Sequence, residues 1–210
     1  MNRRTVVAGG LSLIAAAGFG GGALAQVEAL SRPDRQLVDQ AAAYLQGLKT
    51  AKARFTQTTS RGGASAGVLY LDRPGKARFE YDPPAAMLVV ADGRTVSVYD
   101  KRLKTFDRYP IGATPLGIFL ARRIRLDEDV KVLRVNRTPG GFAIVAVDPH
   151  GQADGELVLE FSSTPVALTG WTVIDGQGVQ TRIRLTGLAA ADGLDPALFS
   201  LKDPRKAGQG

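Results

Sequence analysis

The alternation of apolar and polar side chains over residues 66–109 predicts an antiparallel β-meander. Ala77, Phe79 and Tyr81 are apolar, and charged residues occupy the positions between them. Because successive side chains of a strand point to opposite faces, this run predicts a strand with one apolar face and one charged, solvated face. Four or five such runs are separated by turn signals, at Arg73-Pro74-Gly75, Asp82-Pro83-Pro84 and Asp92-Gly93.

An amphipathic helix is predicted before the meander, from about Asp34 to Leu48. Ser31 is a favoured capping residue, and Pro33 is compatible with the first turn of a helix. Apolar residues then recur at helical spacing and form one stripe, which consists of Leu37, Ala41, Tyr44, Leu45 and Leu48.

A second, much shorter helix is predicted after the meander. Thr114 can cap it and Pro115 suits its first turn. The residues that follow are almost uniformly apolar until Arg122, and they include Leu116, Ile118, Phe119 and Leu120. A helix of this length is not stable alone, so we expect it to lie against an apolar surface.

Further strand patterns extend the predicted sheet on both sides of the meander. They lie at about Ala53–Ser60, Asp129–Asn136, Gly141–Asp148, Glu156–Ser162, Val166–Asp175 and Val179–Thr186. Roughly eleven short strands in all favour a mainly β fold, as a barrel or a strongly curved sheet whose concave face the helices cover. A brief turn or helix at 195–199 and a frayed tail from Lys202 are expected to end the chain.

The first 25 residues have the pattern of an export signal. Arg3 and Arg4 precede an apolar stretch at 6–19, and Ala23-Leu24-Ala25 forms a small-residue cleavage site. The alternative is a membrane anchor, but the apolar stretch is rich in glycine and short for a span. We therefore expect a single domain over 26–210, exported by either the general or the twin-arginine route.

Composition and charge limit the kinds of function that the sequence supports. The chain has 210 residues, a formal charge of +7 and no cysteine, so an exported fold would depend on packing and hydrogen bonds rather than disulfides. The basic residues are not densely clustered, which favours an ordinary basic surface over a nucleic-acid interface.

Candidate catalytic and metal-binding residues are few. His150, the only histidine, lies in a turn pattern at 148–151, where a solvated residue is more plausible than a general base. Asp127-Glu128-Asp129 lacks the ligand spacing of a calcium loop, and no set of Cys and His could hold zinc. The sequence thus favours a protein without enzymatic activity, cofactor or metal, which binds an apolar ligand.

Several stretches closely resemble the outer-membrane lipoprotein carrier family, LolA. They are residues 53–58, 67–81 and 90–96, with later matches at 114–116 and 195–199. The resemblance implies an open, incomplete antiparallel β-barrel of about eleven strands with a helical lid. It also implies a monomeric periplasmic chaperone that takes lipoproteins from an inner-membrane ABC transporter, shelters their acyl chains and passes them to an outer-membrane acceptor.

The same resemblance implies roles for individual residues. Arg73 matches an arginine that latches the lid through hydrogen bonds to backbone carbonyls; the alternative is a solvated turn arginine. Residues expected to line the acyl cavity are Phe79, Val89, Leu116, Ile118 and Phe119, although plain core packing would suit them too. Ala77 replaces a large aromatic of the family and suggests a locally wider or differently shaped pocket there. A carrier or sensor for another lipid or hydrophobic envelope ligand remains the alternative function.

Overall fold

A computed structural model describes residues 30–114, 116–124, 126, 130–149 and 155–204. The export signal predicted in 1–25, the acidic run at 127–129 and His150 lie outside the described residues. The strands are β1 Thr50–Thr59, β2 Ala64–Asp72, β3 Lys76–Tyr81, β4 Met87–Asp92, β5 Thr95–Asp100, β6 Thr105–Pro110, β7 Lys131–Thr138, β8 Gly141–Val147, β9 Glu156–Ser163, β10 Val166–Ile174 and β11 Gln180–Ala190. The helices are α1 Arg32–Gly47 and α2 Leu116–Leu120, with 3-10 turns at Ile111–Ala113 and Pro196–Phe199.

All eleven strands form one antiparallel sheet that does not close. Its order is β6-β5-β4-β3-β2-β1-β11-β10-β9-β8-β7, so the first and last strands pair in the middle. β6 and β7 are the two edge strands, and the chain segment that connects them contains α2. The prediction of an open, mainly β fold with about eleven strands is confirmed.

The sheet curves strongly around a concave face. Phe79 of β3 and Trp171 of β10 lie four strand spacings apart in the sheet order, about 19 Å if the sheet were flat. Their ring centroids are only 6.1 Å apart. The two strands therefore face each other across the interior, which makes the concave face the centre of the hydrophobic core.

Helix α1 packs on this concave face. The Ser31 side chain caps its first turn by accepting from the Asp34 backbone N–H at 3.2 Å. Val38, Ala41 and Leu45 form its buried stripe, as the helical spacing predicted. The helix begins at Arg32 rather than near Asp34, because Ser31 is the cap and Pro33 fits within the first turn. Among the described residues, no helix has both the length and the apolar character needed to cross a membrane.

The convex face of the meander is not fully solvated, so that part of the sequence prediction is wrong. The 3-10 turn Pro196–Phe199 packs on β3 and β4, and Phe199 is buried. Arg78 Nη1 donates to the Leu198 carbonyl at 3.1 Å, and Arg108 Nη2 donates to the Leu201 carbonyl at 3.3 Å. The C-terminal segment thus covers apolar residues, Leu88 and Val90, that alternation places on the outer side.

Candidate functional site

An apolar cavity of about 100 Å³ lies beneath α2. Its lining comes from α2, β9 and β10, and consists of Leu116, Phe119, Leu157, Leu159, Trp171 and Val173. Two-residue periodicity turns alternate side chains of β9 and β10 towards the interior. Spacing of three residues puts Leu116 and Phe119 on one face of α2. The lining side chains carry no charge, so the cavity suits an apolar ligand.

An aromatic cluster extends from one side of this cavity. Trp171 is stacked on Phe119 with centroids 5.7 Å apart, and it meets Phe79 edge-on at 6.1 Å. Phe79 in turn meets Phe55 edge-on at 5.5 Å. Such pairs are favourable beyond their area of burial. The cluster therefore connects α2 with strands from both halves of the sheet.

At the border of this cluster, the Tyr81 hydroxyl is neutral and makes a hydrogen bond. Its ring lies edge-on to Phe55 at 5.0 Å, and its hydroxyl donates to Gln57 Oε1 at 2.7 Å. Burial raises the pKa of Tyr81 to about 12. The phenol consequently adds no charge to the apolar interior at neutral pH.

Arg73 is buried where α1 ends, with 6% of its surface exposed. Nη1 donates to the Leu45 carbonyl and, at 3.3 Å, to the Leu48 carbonyl; Nη2 donates to the Ala121 carbonyl at 2.8 Å. Carbonyls at the end of a helix lack partners within the helix, and a guanidinium offers several donors in a fixed fork. Burial lowers the pKa of Arg73 below its ordinary value.

Further hydrogen bonds join α1, the turn after β2 and the segment that contains α2. The Gly75 backbone N–H, in the turn after β2, donates to the Leu120 carbonyl at 2.8 Å. Gln46 of α1 donates through Nε2 to the Arg122 carbonyl at 3.2 Å and accepts from the Ile124 N–H at 3.0 Å. α1 and the α2 segment therefore form a lid that is closed over the concave face.

The predicted site residues fall into three groups. Leu116 and Phe119 line the cavity, and the Arg73 guanidinium lies 5.9 Å from the centre of the Phe119 ring. Phe79 does not line the cavity itself, but its ring contacts Trp171, which does. Val89, which pairs with Phe79 in the sheet, and Ile118 are half-buried against the core and do not line the cavity.

Sequence reasoning missed four lining residues and misjudged one position. Leu157, Leu159, Trp171 and Val173 all lie on strands that the sequence predicted, and their alternation was the available signal. Ala77 has no exposed surface and lies in the main core, so its own side chain does not border a wider pocket. Within the described part of the chain, no group of three or more His, Cys, Asp or Glu side chains could hold a metal ion.

Comparison with known proteins identifies the family. Residues 46–202 match the family profile described as outer membrane lipoprotein carrier protein LolA. A protein of Cupriavidus taiwanensis with the name outer-membrane lipoprotein carrier protein is 34% identical over 181 residues, covering 80% of this chain and 85% of its own. One of the same name from Chromobacterium violaceum is 29% identical over 175 residues, covering 80% and 84%.

A solved structure of a LolA superfamily protein from Nitrosomonas europaea aligns with 80% of this chain and 97% of its own. Its TM-score is 0.48 and its sequence identity is 9%. The family assignment comes instead from the profile match, which covers most of the chain, and from the sequence relatives. On that basis the chain belongs to the LolA family of outer membrane lipoprotein carrier proteins.

Proposed function

We propose that this protein is a periplasmic chaperone that carries lipoproteins from the inner to the outer membrane and has no enzymatic activity. It takes them from an ABC transporter, shelters their acyl chains under the lid and passes them to an outer-membrane acceptor, acting as a monomer. The observation that carries the proposal is the predominantly apolar, uncharged cavity between α2 and the concave face. Membership of the lipoprotein carrier family supports the cargo.

The size of the cavity supports a lid that opens on loading. Pockets for drug-sized ligands measure roughly 300–1,000 Å³, whereas this cavity holds about 100 Å³. An acyl chain therefore enters only when α2 moves away from β10 and the stacking of Phe119 on Trp171 is broken. The chain then replaces the lost apolar contacts, so the empty closed state and the loaded open state compete for the same surface.

Arg73 would bias this competition towards the closed state. Its guanidinium bonds to carbonyls of α1 and of the segment after α2, and these bonds exist only while both are in place. Lid opening costs those hydrogen bonds, and reclosing restores them. In this account Arg73 helps to expel cargo when an acceptor is available, and Phe79, Val89 and Ile118 become part of the enlarged cavity.

The composition of the cavity suits a second candidate equally well. Its lining consists only of Leu, Phe, Trp and Val side chains, none of which distinguishes the acyl chains of a lipoprotein from those of another lipid. A carrier or sensor for a different lipid or hydrophobic envelope ligand would use the same interior.

Mass spectrometry of bound material tests the two candidates. The tagged protein is expressed with its own N-terminal segment and purified from periplasm without detergent. We expect triacylated lipoproteins to co-purify with it and to be much reduced in the Phe119→Asp variant, which puts a charge into the cavity. Free lipids without lipoproteins would favour the second candidate and contradict the first. Cargo bound equally by Phe119→Asp would contradict binding in this cavity.

A further inference from the structure

The hairpin between β5 and β6 presents an apolar side chain among cations. Leu103 is 57% exposed, which makes it one of two large hydrophobic side chains exposed within the described part of the chain. Lys101, Arg102 and Lys104 flank it, and all are exposed. Residues 101–104 are called the hairpin tip below.

The hairpin tip is held in shape by hydrogen bonds of its own. The Asp100 carboxylate accepts from the backbone N–H groups of Arg102 and Leu103, both at 2.8 Å. The Lys101 N–H donates to the Ala86 carbonyl at 3.2 Å, which fixes the tip to the neighbouring loop. Asp100 is thereby turned towards the backbone, so the side chains that face outward are those of Leu103 and the three cations.

Aromatic residues lie directly behind the hairpin tip. Tyr99 and Phe106 are partners across β5 and β6, and both are half-buried on the convex face. The Arg108 guanidinium lies 5.5 Å from the centre of the Phe106 ring. Besides Asp100, the only carboxylate between Tyr99 and Tyr109 is that of Asp107, so positive charge predominates. An exposed apolar tip, flanking cations and aromatic residues behind them are typical of segments that lie at a membrane interface.

We propose that the hairpin tip docks on the surface of an anionic lipid bilayer. Leu103 would enter the boundary between headgroups and acyl chains, while Lys101, Arg102 and Lys104 would face the phosphates. A bilayer offers negative charge at its surface and apolar material just below it. An acidic protein surface would pair with the cations but offer nothing to Leu103. One apolar residue and a few cations give weak, reversible binding, which suits a carrier that must leave again.

The position of the hairpin tip leaves the lid free. In the antiparallel order, the turn after β2 that carries Arg73 and the hairpin after β5 lie at opposite ends of the sheet. Docking at one end therefore does not obstruct α1 or α2 at the other. The inference does not rest on the proposed cargo, because the hairpin tip lies outside the cavity and can be tested on the empty protein.

Vesicle flotation tests this inference. The protein is mixed with unilamellar vesicles of phosphatidylcholine alone or with added phosphatidylglycerol. We expect binding only to the anionic vesicles, with weakening as salt rises. Replacing Lys101, Arg102 and Lys104 by Gln should reduce partitioning on the order of 100-fold at low salt, about fivefold per cation. Leu103→Ser should reduce it on the order of tenfold.

A matched control removes the same charge elsewhere. Lys52, Lys131 and Arg184 are exposed on other strands, and their combined replacement by Gln should weaken partitioning far less. In a Leu103→Trp variant, the new indole should shift its emission to the blue when anionic vesicles are added. Absence of binding to anionic vesicles would overturn the proposal, as would equal effects of the two triple variants. If Leu103→Ser binds the anionic vesicles as well as the wild type does, and poly-glutamate captures the protein, the hairpin tip would instead bind an acidic protein partner.

Discussion

At the scale of single residues, Arg73 has the clearest physical task. Its three hydrogen-bond acceptors come from residues 25, 28 and 48 positions away. Hydrogen bonds to a charged group contribute about 1.5–3 kcal/mol net each, and a bias of about 2.7 kcal/mol already moves a two-state equilibrium from even to 99:1. The loss of one or two of these bonds is therefore large enough to shift the populations of a two-state lid.

We expect Arg73→Leu to fold, to accept lipoprotein and to deliver it poorly. The variant loses hydrogen bonds of the closed state, so the open, loaded state gains in population and cargo is retained. A two-step assay measures release from inner membranes and then transfer to the acceptor. Transfer should fall on the order of tenfold or more, the effect of about 1.4 kcal/mol.

Arg94→Leu is the matched control for Arg73→Leu. Arg94 also lies in a turn between strands, but its side chain is exposed. Its replacement should leave both steps unchanged, with thermal melting as the check on folding. Normal transfer by a folded Arg73→Leu protein would contradict the latch role, and failure of that variant to fold would show that Arg73 is structural.

The sequence pattern alone did not distinguish a buried Arg73 from a solvated one. The arginine follows a strand and precedes Pro74 in a turn, where exposure is usual. Its burial depends on α1 and on the segment after α2, both remote in sequence. Only the resemblance to the family predicted contact with the lid. Trp171 was missed for a related reason, because strand alternation gives the face of a side chain but not what lies opposite it across a curved sheet.

At the scale of elements, α1 is fastened at both ends. At its N-terminal end, the Arg137 guanidinium of β7 donates from Nη2 to Asp34 Oδ1 at 2.7 Å and from Nε at 3.2 Å. Ser31 Oγ donates to the other carboxylate oxygen at 2.6 Å. The hydrogen bond from Ser31, followed by that from Arg137, lowers the pKa of Asp34 from its ordinary value of 3.8.

We expect Asp34→Asn to loosen α1 in a pH-dependent way. Because the folded pKa is below 3.8, the ionised carboxylate stabilises the folded protein above that value, and this contribution is lost as pH falls through the folded pKa. The melting temperature of the variant should therefore lie below that of the wild type at neutral pH. The two should converge in acid. Asp39→Asn, on the same helix, is the control, and a difference that is constant with pH would contradict the account.

Local sequence patterns predicted the helices and strands more completely than the tertiary contacts that cover them. Alternation and turn signals predicted four or five strands in the meander, where the structure has five, and gave approximate ranges for the other six strands; the Ser31-Pro33 signal located α1 to within two residues. β11 extends to Ala190, beyond the predicted end, because its pairing with β1 continues there. The cover over the convex face of β3 and β4 was not predictable, since it comes from a segment more than a hundred residues later.

At the scale of the whole molecule, the lid depends on the sheet being open. β6 and β7 are edges of the sheet, and the chain that joins them carries α2 over the concave face. A closed barrel would leave no place for a cover that can move. The cavity beneath α2 measures only about 100 Å³, so the proposed function requires that the lid be displaced on loading.

The most direct test uses the only tryptophan in the sequence, Trp171, which lines the cavity. The protein is titrated with an acyl lipid that carries bromine atoms along its chain, while equilibrium dialysis measures total binding. We expect saturable quenching of Trp171 fluorescence that follows binding. Phe119→Asp and the milder Leu116→Asp should weaken affinity about tenfold or more, and Thr58→Asp, at an exposed position of β1 outside the cavity, should not. Binding of the lipid without quenching of Trp171 would show that acyl chains do not occupy the space beneath α2.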